Sequence, residues 1–325
     1  MEAQGELIAK AIEISFQEAA KAHITGADVT PFMLERDLFP PASYAGTVEV
    51  LGGGGVARNV AEVLGRLRVP HAFLTATVDD VAGRQLHEAC PCIHWIPVPG
   101  SPQSARTANY VGILNATAVC VDANPDAETI KRTIEICHSM GVPVWFEPTD
   151  FHKCTKIVDA FVSDEGDFRR PQISVISPNL TELEAIYYRY TGDNLGVGVE
   201  CGERFARVQS AVRGALKPLA ENWLIKMGPE GVLFVNQEEA YAFSSPVKDP
   251  KLIVSVSGAG DSCAGAVLYL RFVKNWSWKM ALLGGLRAAE MSLTSKNTVS
   301  EQLKPDLFRH AEIEEWMDKV DVIML

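Results

Sequence analysis

The sequence has no excess of positive charge: 30 lysines and arginines stand against 41 aspartates and glutamates, for a formal net charge of −11. Nucleic acids and anionic membranes reward a basic face, so neither is an expected partner. No apolar run approaches the about 20 residues of a membrane span. The opening Met1-Glu2-Ala3-Gln4-Gly5 lacks the basic start and apolar stretch of a signal peptide. Cysteine is sparse, with seven residues at 90, 92, 120, 137, 154, 201 and 263. Only Cys90 and Cys92 are close together, and two thiols fall short of the four ligands of a structural zinc site. They read as reduced thiols, which makes the cytoplasm the expected compartment. Internal repeats and low-complexity tracts are lacking too. What is present is a chain of 325 residues, 47% apolar, long enough for one large α/β domain or two small ones. A globular protein acting on a small molecule fits this balance.

Apolar positions at helical spacing (Leu7, Ile8, Ala11, Ile12, Ile14, Phe16, Ala19, Ala20) predict an amphipathic helix over 7–23, stopped by Thr25-Gly26. Pro31, Pro40 and Pro41 then punctuate a stretch without a clear strand, so a boundary is expected near residue 40. This divides the chain into a helical segment, 1–40, and a main domain, 41–325. Beyond Gly52, short β-branched runs alternate with helical stretches, as in βα units on a mostly parallel sheet. Strands are predicted over 72–76, 118–122, 142–146, 173–176, 223–227, 232–235 and 252–256. Helices are predicted over 57–67, 127–139, 153–162, 180–190, 204–221, 259–273, 279–293 and 307–318. This order implies a three-layer αβα sandwich with a mostly parallel central sheet. Residues 93–96 with 104–114 break the rhythm and read as a small β lid.

The run Ser257-Gly258-Ala259-Gly260-Asp261 lies between the predicted strand 252–256 and a helix rich in small residues. Its glycines allow a sharp turn that aims successive N–H groups outward at a helix N-terminus, where the dipole adds its positive end. An aspartate in such an anion hole can take a proton from an attacking hydroxyl while the amides hold the charge on a transferred phosphoryl group. An isolated Gly-x-Gly-Asp is more often a plain helix cap. The neighbouring motifs separate the two readings.

Gly258-Ala259-Gly260-Asp261 resembles the C-terminal signature of the ribokinase (PfkB) family of carbohydrate and nucleoside kinases. Gly54-Gly55-Val56-Ala57-Arg58-Asn59 resembles its N-terminal glycine signature, Ser177-Pro178-Asn179-Leu180-Thr181-Glu182 its Asn-x-x-Glu motif, and Lys226-Met227-Gly228-Pro229-Glu230-Gly231 the turn beside its nucleotide. Within the family, Gly55 to Ala61, Ala105 to Tyr110, Val121 to Asn124, Trp145 to Asp150 and Val256 to Ser262 are similar to the pseudouridine kinase branch. The resemblance implies ATP and Mg2+ as cofactors and the 5′-hydroxyl of pseudouridine as acceptor. It implies Asp261 as the base, with Gly258, Ala259 and Gly260 forming the anion hole. It further implies Gly54, Gly55, Asn59, Arg106 and Thr107 at the substrate, Lys226, Gly228, Gly231 and Asn297 at the nucleotide, and Asn179 and Glu182 at the metal. A homodimer is compatible with it. Ile24 to Leu34, with the helix before it, resembles the C-terminal end of a pseudouridine-5′-phosphate glycosidase; an amphipathic helix docked on the kinase is the other reading of that segment.

The family opens with an apolar strand carrying a sugar-binding Asp, and no such strand is evident before Gly52, so the first core strand is expected to be missing. Asp28 is not assigned that Asp's role. Family lid and core strands are also lacking between Tyr110 and Ala118. A catalytically impaired nucleotide-binding or structural protein is therefore the alternative function. A nicotinamide dehydrogenase reading of Gly52 to Gly55 lacks the preceding strand and the Gly-x-Gly-x-x-Gly spacing. Glu147 with Asp150, and Asp122 with Asn124, follow predicted strands and are candidates for the cleft. His87, His94, His138 and His152 have no spacing that suggests catalysis, and Trp276 and Trp278 are expected to pack between helices.

Overall fold

The computed structural model of the chain describes residues 8–12, 55–75, 95–97, 116–161 and 173–324. Its strands are β1 Ile8–Ile12, β2 His71–Thr75, β3 Trp95–Pro97, β4 Ala116–Asp122, β5 Val144–Glu147, β6 Ile173–Ile176, β7 Ala220–Lys226, β8 Val232–Asn236, β9 Ala240–Phe243 and β10 Val322–Met324. They form one sheet in the order β10-β9-β8-β7-β6-β5-β4-β1-β2-β3. Neighbours run parallel from β3 across to β7 and antiparallel from β7 to β10.

Along β4, β5, β7 and β8 successive side chains enter opposite cores, as the two-residue period of a strand buried on both faces requires. Cys120, Trp145, Leu224 and Phe234 join one core, with residues of the helices α1 Val56–Arg66, α6 Ala259–Leu268, α7 Trp278–Leu293 and α8 His310–Trp316. Val119, Val121, Val144, Phe146, Trp223 and Ile225 join the other, with α2 Ala127–Ser139, α3 Lys156–Asp159, α4 Leu180–Thr191 and α5 Cys201–Arg213. The result is the expected three-layer sandwich with a mostly parallel sheet. Among the described residues no helix is long and apolar enough to cross a membrane.

Four expectations are corrected. Residues 8–12 form a strand, not part of a helix over 7–23, and they lie parallel between β2 and β4. The core position expected to be missing is therefore filled from the start of the chain. The pattern Ile8-Ala9-Lys10-Ala11-Ile12 suits either structure, and a central strand gains ladder hydrogen bonds on both edges. Residues 252–256 are not a strand: Pro250–Leu252 is a 3-10 turn, and the Val254 and Ser255 amides donate to the Leu293 carbonyl, at 2.8 and 3.3 Å. The backbone is extended at Ile253, but its bonds go to the end of α7, and Leu252, Val254 and Val256 are exposed. Trp95–Pro97, assigned in part to a lid, extends the main sheet beside β2. The helix expected over 204–221 stops at Arg213, because Ala220 already belongs to β7. The boundary near residue 40 and the rest of the lid, 104–114, lie outside the described residues.

Strands β9 and β10 extend the sheet without having been foreseen. Ala240–Phe243 is only four residues long, and Val322–Met324 leaves Ile323 and Met324 exposed at the sheet edge, too short a run for alternation to register.

The layer holding α1 and α6 is unusually close. A Cβ on Gly265 would lie 2.9 Å from Cβ and Cγ1 of Val63. Gly265→Ala is predicted to destabilise the protein by about 1–3 kcal/mol through overpacking. In Gly265→Ala/Val63→Ala the two losses should be less than additive, as read by chemical denaturation. Strict additivity would mean that the two positions do not share one contact.

Candidate active site

The carboxyl ends of the parallel strands β4 to β7 bring Asp122, Glu147, Ser177 and Lys226 to one edge of the sheet, where open α/β sheets receive ligands. Asp122, Glu147 and Lys226 share strand parity with Cys120, Trp145 and Leu224, so they belong to the face covered by α1 and α6.

The turn before α6 is possible only for glycine. Gly258 has φ 76°, and a Cβ there would lie 2.1 Å from the Thr298 carbonyl oxygen. The Ser262 amide donates to Gly258 O at 2.8 Å, whereas the amides of Gly260 and Asp261 find no acceptor among the described residues. With no side-chain cap, this helix N-terminus offers free donors and the positive end of its dipole. Such a terminus can hold an anion of the phosphate type.

Lys226 crosses this turn. Its Cδ lies 3.0 Å from where a Gly260 Cβ would stand, and its Nζ reaches Oε2 of Glu147 at 2.8 Å. Glu147 is 1% exposed, and its other oxygen accepts from the Trp145 indole N–H at 2.7 Å. Removing one partner of such a pair leaves a buried charge uncompensated, at a cost of about 3–5 kcal/mol. The lysine backbone is fixed as well: Lys226 N donates to Pro178 O at 2.7 Å, and Lys226 bridges Asn179. Asn179 and Glu182 form a reciprocal cap of α4, Glu182 N to Asn179 Oδ1 at 2.9 Å and Asn179 N to Glu182 Oε2 at 2.8 Å. Asn179 thus presents Glu182 beside Lys226.

Asp261 is half-buried. Its Oδ2 accepts from Asn59 Nδ2 at 2.7 Å, and its Oδ1 accepts from none of the described residues. Burial pushes its pKa up to about 6, against the pull of Lys226, the Asn59 bond and Arg58, with Glu147 adding to the rise. Burial also lifts Glu182 to about 7, opposed by Lys226 and the Asn179 amide and reinforced by Glu147 and Asp261. Burial alone would lower Lys226, but Glu147, Glu182 and Asp261 lift it above the ordinary lysine value. One ammonium therefore serves three carboxyl groups, two of them raised toward neutrality, and the site is short of positive charge. Among the described residues no group of three or more His, Cys, Asp or Glu is arranged to hold a metal by itself. A Mg2+ ion that keeps waters and phosphate oxygens as ligands needs only one or two carboxylates, and Glu182 fits that part.

Asp122 is fully buried and serves structure: it accepts from Asn124 N at 3.0 Å, from Asn124 Nδ2 at 2.7 Å and from the Ala57 amide at the start of α1. Asp150 caps residues 152 and 153 and pairs with Lys153 at 3.1 Å, so it is not joined to Glu147. Gly55 (φ 106°) caps α1, and Gly228 (φ 60°) and Gly231 (φ 100°) frame the turn after Lys226. A Cβ on Gly231 would meet Phe243 O at 1.9 Å. Asn297 is exposed and bonded to Glu301 at 3.0 Å, on the loop that carries Thr298. Gly54, Arg106, Thr107, Cys90, Cys92, His87 and His94 lie outside the described residues. His138 and His152 are on the surface, and Trp278 packs on Phe234 with ring centroids 4.7 Å apart. Sequence reasoning gave no role to Arg58 or Thr298. Arg58, Glu62 and Arg66 at four-residue steps on a buried helix face were a usable signal, whereas Thr298 offered none.

The Glu182 shift has a stability consequence. Its folded pKa lies above its ordinary 4.5, so the folded chain holds this proton where the unfolded chain has lost it. The resulting penalty is absent below pH 4.5, grows as pH rises, and is complete above about pH 7. Glu182→Gln, which keeps a capping acceptor, is predicted to be more stable than the parent at pH 8 by on the order of 2 kcal/mol and indistinguishable at pH 4, by urea denaturation. A less stable Gln variant at pH 8 would show that ionised Glu182 is net favourable.

A family model for pfkB family carbohydrate kinases matches residues 108–304. Among solved structures, the chain is similar to a carbohydrate kinase from Agrobacterium tumefaciens at 17% identity and TM-score 0.65, covering 98% of this chain and 100% of that one. It is similar to Arabidopsis thaliana ribokinase complexed with ribose and ATP at 19% identity and TM-score 0.60, covering 81% and 87%. A third is the ribokinase from Thermotoga maritima, at 17% identity and TM-score 0.61, covering 96% and 99%. These likenesses establish the fold, and no curated protein sequence matches the chain. Because the family model spans more than half of the sequence, including the turn that holds Asp261, the chain belongs to the pfkB family of carbohydrate kinases.

Proposed function

We propose that this chain is an ATP- and Mg2+-dependent kinase that phosphorylates the 5′-hydroxyl of a nucleoside, with pseudouridine as the acceptor. The observation that carries the kinase chemistry is the turn at the start of α6, where free amides and a half-buried carboxylate with one unengaged oxygen stand together. Asp261 Oδ1 takes the hydroxyl proton as the alcohol oxygen forms its bond to the γ-phosphorus and the bond from phosphorus to the ADP oxygen breaks. The Gly260 and Asp261 amides and Lys226 hold the transferring group in place. Glu182 would help to hold Mg2+, which when bound would supply charge neutralisation for the triphosphate.

The preference for pseudouridine rests on the sequence likenesses at Ala105 to Tyr110, Val121 to Asn124 and Trp145 to Asp150. The free thiols at Cys120, Cys137, Cys154, Cys201 and Cys263 accord with a cytoplasmic setting. The alternative of an impaired nucleotide-binding protein drew on a missing core strand, and β1 occupies that position.

Asp261→Asn is predicted to lower kcat by about 10²–10⁴-fold while ATP affinity, measured by calorimetry, changes by less than about threefold. Equal loss of both would remove Asp261 from the role of base. In a panel of pseudouridine, uridine, ribose and fructose, pseudouridine should give the highest kcat/KM. A higher value for a free sugar would overturn the nucleoside assignment and leave the kinase reading intact.

A further inference from the structure

The buried face of α1 carries charge that packing does not require. Arg58 and Glu62 are 5% and 4% exposed, in a helix whose other inward residues are mostly Ala, Val and Leu. A buried ion pair is weak as a stabiliser, because apolar residues of similar volume commonly do as well. What distinguishes this pair is where its donors go.

Glu62 Oε2 holds Arg58 Nη2 at 2.5 Å, while Oε1 of the same carboxylate takes Arg66 Nε at 2.8 Å and Nη2 at 2.5 Å. The guanidinium is thereby fixed, and its Nη1 donates to Asn59 Oδ1 at 2.6 Å. The opposite end of that amide, Nδ2, donates to Asp261 Oδ2 at 2.7 Å. The two ends of an asparagine amide are nearly equal in shape and opposite in hydrogen-bonding character. Turned over, Asn59 would aim its NH2 at a guanidinium and its carbonyl at a carboxylate, and both contacts would be lost. Thr298 Oγ1, 3.4 Å from both Asn59 Oδ1 and Arg58 Nη1, joins the same cluster, and the Thr298 carbonyl is the group that crowds Gly258.

We propose that Arg58 is a positioning residue for Asp261: it locks the Asn59 amide in the orientation that holds one carboxylate oxygen and leaves the other free for the acceptor hydroxyl. The last clause rests on the kinase reading above; the locking itself does not. Asn59 thus links Arg58 to the Asp261 carboxylate directly. Lysine cannot replace Arg58, because one ammonium lacks the fork that reaches Glu62 and Asn59 together.

The test reads the Asp261 carboxyl directly. The chain is labelled with 13C at aspartate carboxyl carbons, and the Asp261 signal is identified by its loss in Asp261→Asn. Asp261 is faced by Lys226 from β7, Glu147 from β5, Glu182 from α4, and Arg58 and Asn59 from α1. Asn59→Ala removes a donor to the ionised form, so the midpoint should rise by about one pH unit, a tenfold gain in proton affinity. Arg58→Lys keeps the charge and loses the fork, and its midpoint should rise toward the Asn59→Ala value. The double variant should match Asn59→Ala alone, because Arg58 acts through Asn59. An unmoved midpoint in Arg58→Lys, or additive shifts in the double variant, would overturn the proposal. The parent chain gives an answer even if a variant does not fold: the 15N signal of the Asn59 side-chain amide should titrate with the Asp261 carboxyl, and independent titration overturns the lock. None of these readouts needs turnover, so a chain that phosphorylates neither nucleoside nor sugar yet shows the coupled titration would refute the kinase reading alone. In active enzyme, Arg58→Lys should lower kcat more than it raises acceptor KM and should move the acidic limb of the kcat profile to higher pH.

Discussion

The site is organised by a single ammonium group. Lys226 stands among Glu147 from β5, Glu182 at the head of α4 and Asp261 at the head of α6, and each of these elements approaches the same charge. Without the cation, three acids would face one another across a space of low dielectric with no opposite charge between them. With it, Asp261 and Glu182 remain raised toward neutrality, and their carboxyl groups stand beside the free amides at the start of α6.

Geometry at the turn follows from close approach. Gly258 admits the Thr298 carbonyl, Gly260 admits the Lys226 side chain, and Gly265 lets α1 come down on α6. Each missing Cβ brings a polar group or a helix within reach of Asp261. The consequence of the last contact is that Asn59, 202 residues away in sequence, bonds to the carboxylate. The surroundings of Asp261 thus depend on packing between two helices as much as on the residues of the turn.

The part of the fold between Ala116 and Leu293 was well marked in the sequence. Helix α2 was expected with its observed limits, and β4, β6, β7 and β8 fell within a few residues of theirs. Each has a continuous apolar run or a capped amphipathic face, and local energetics agree with the tertiary environment. Where they diverged, reading failed. The run 252–256 has strand-like residues, but its Val254 and Ser255 amides bond to the Leu293 carbonyl and not to a strand, and Leu252, Val254 and Val256 stay exposed. Residues 8–12 carry a helical period, yet two parallel neighbours offer a ladder on each side.

By itself the sequence determined the backbone of the turn: only glycine tolerates it, and an aspartate follows three residues after Gly258 in the first turn of the helix. It determined the Asn179–Glu182 cap for the same reason, since both partners lie within one turn of chain. Tertiary structure alone decided that the first strand enters the middle of the sheet, that Lys226 meets Glu147 across 79 residues, and that Arg58 reaches Asp261 through Asn59. Those contacts join residues distant along the chain, and periodicity or spacing carries no information on distances that only packed layers set.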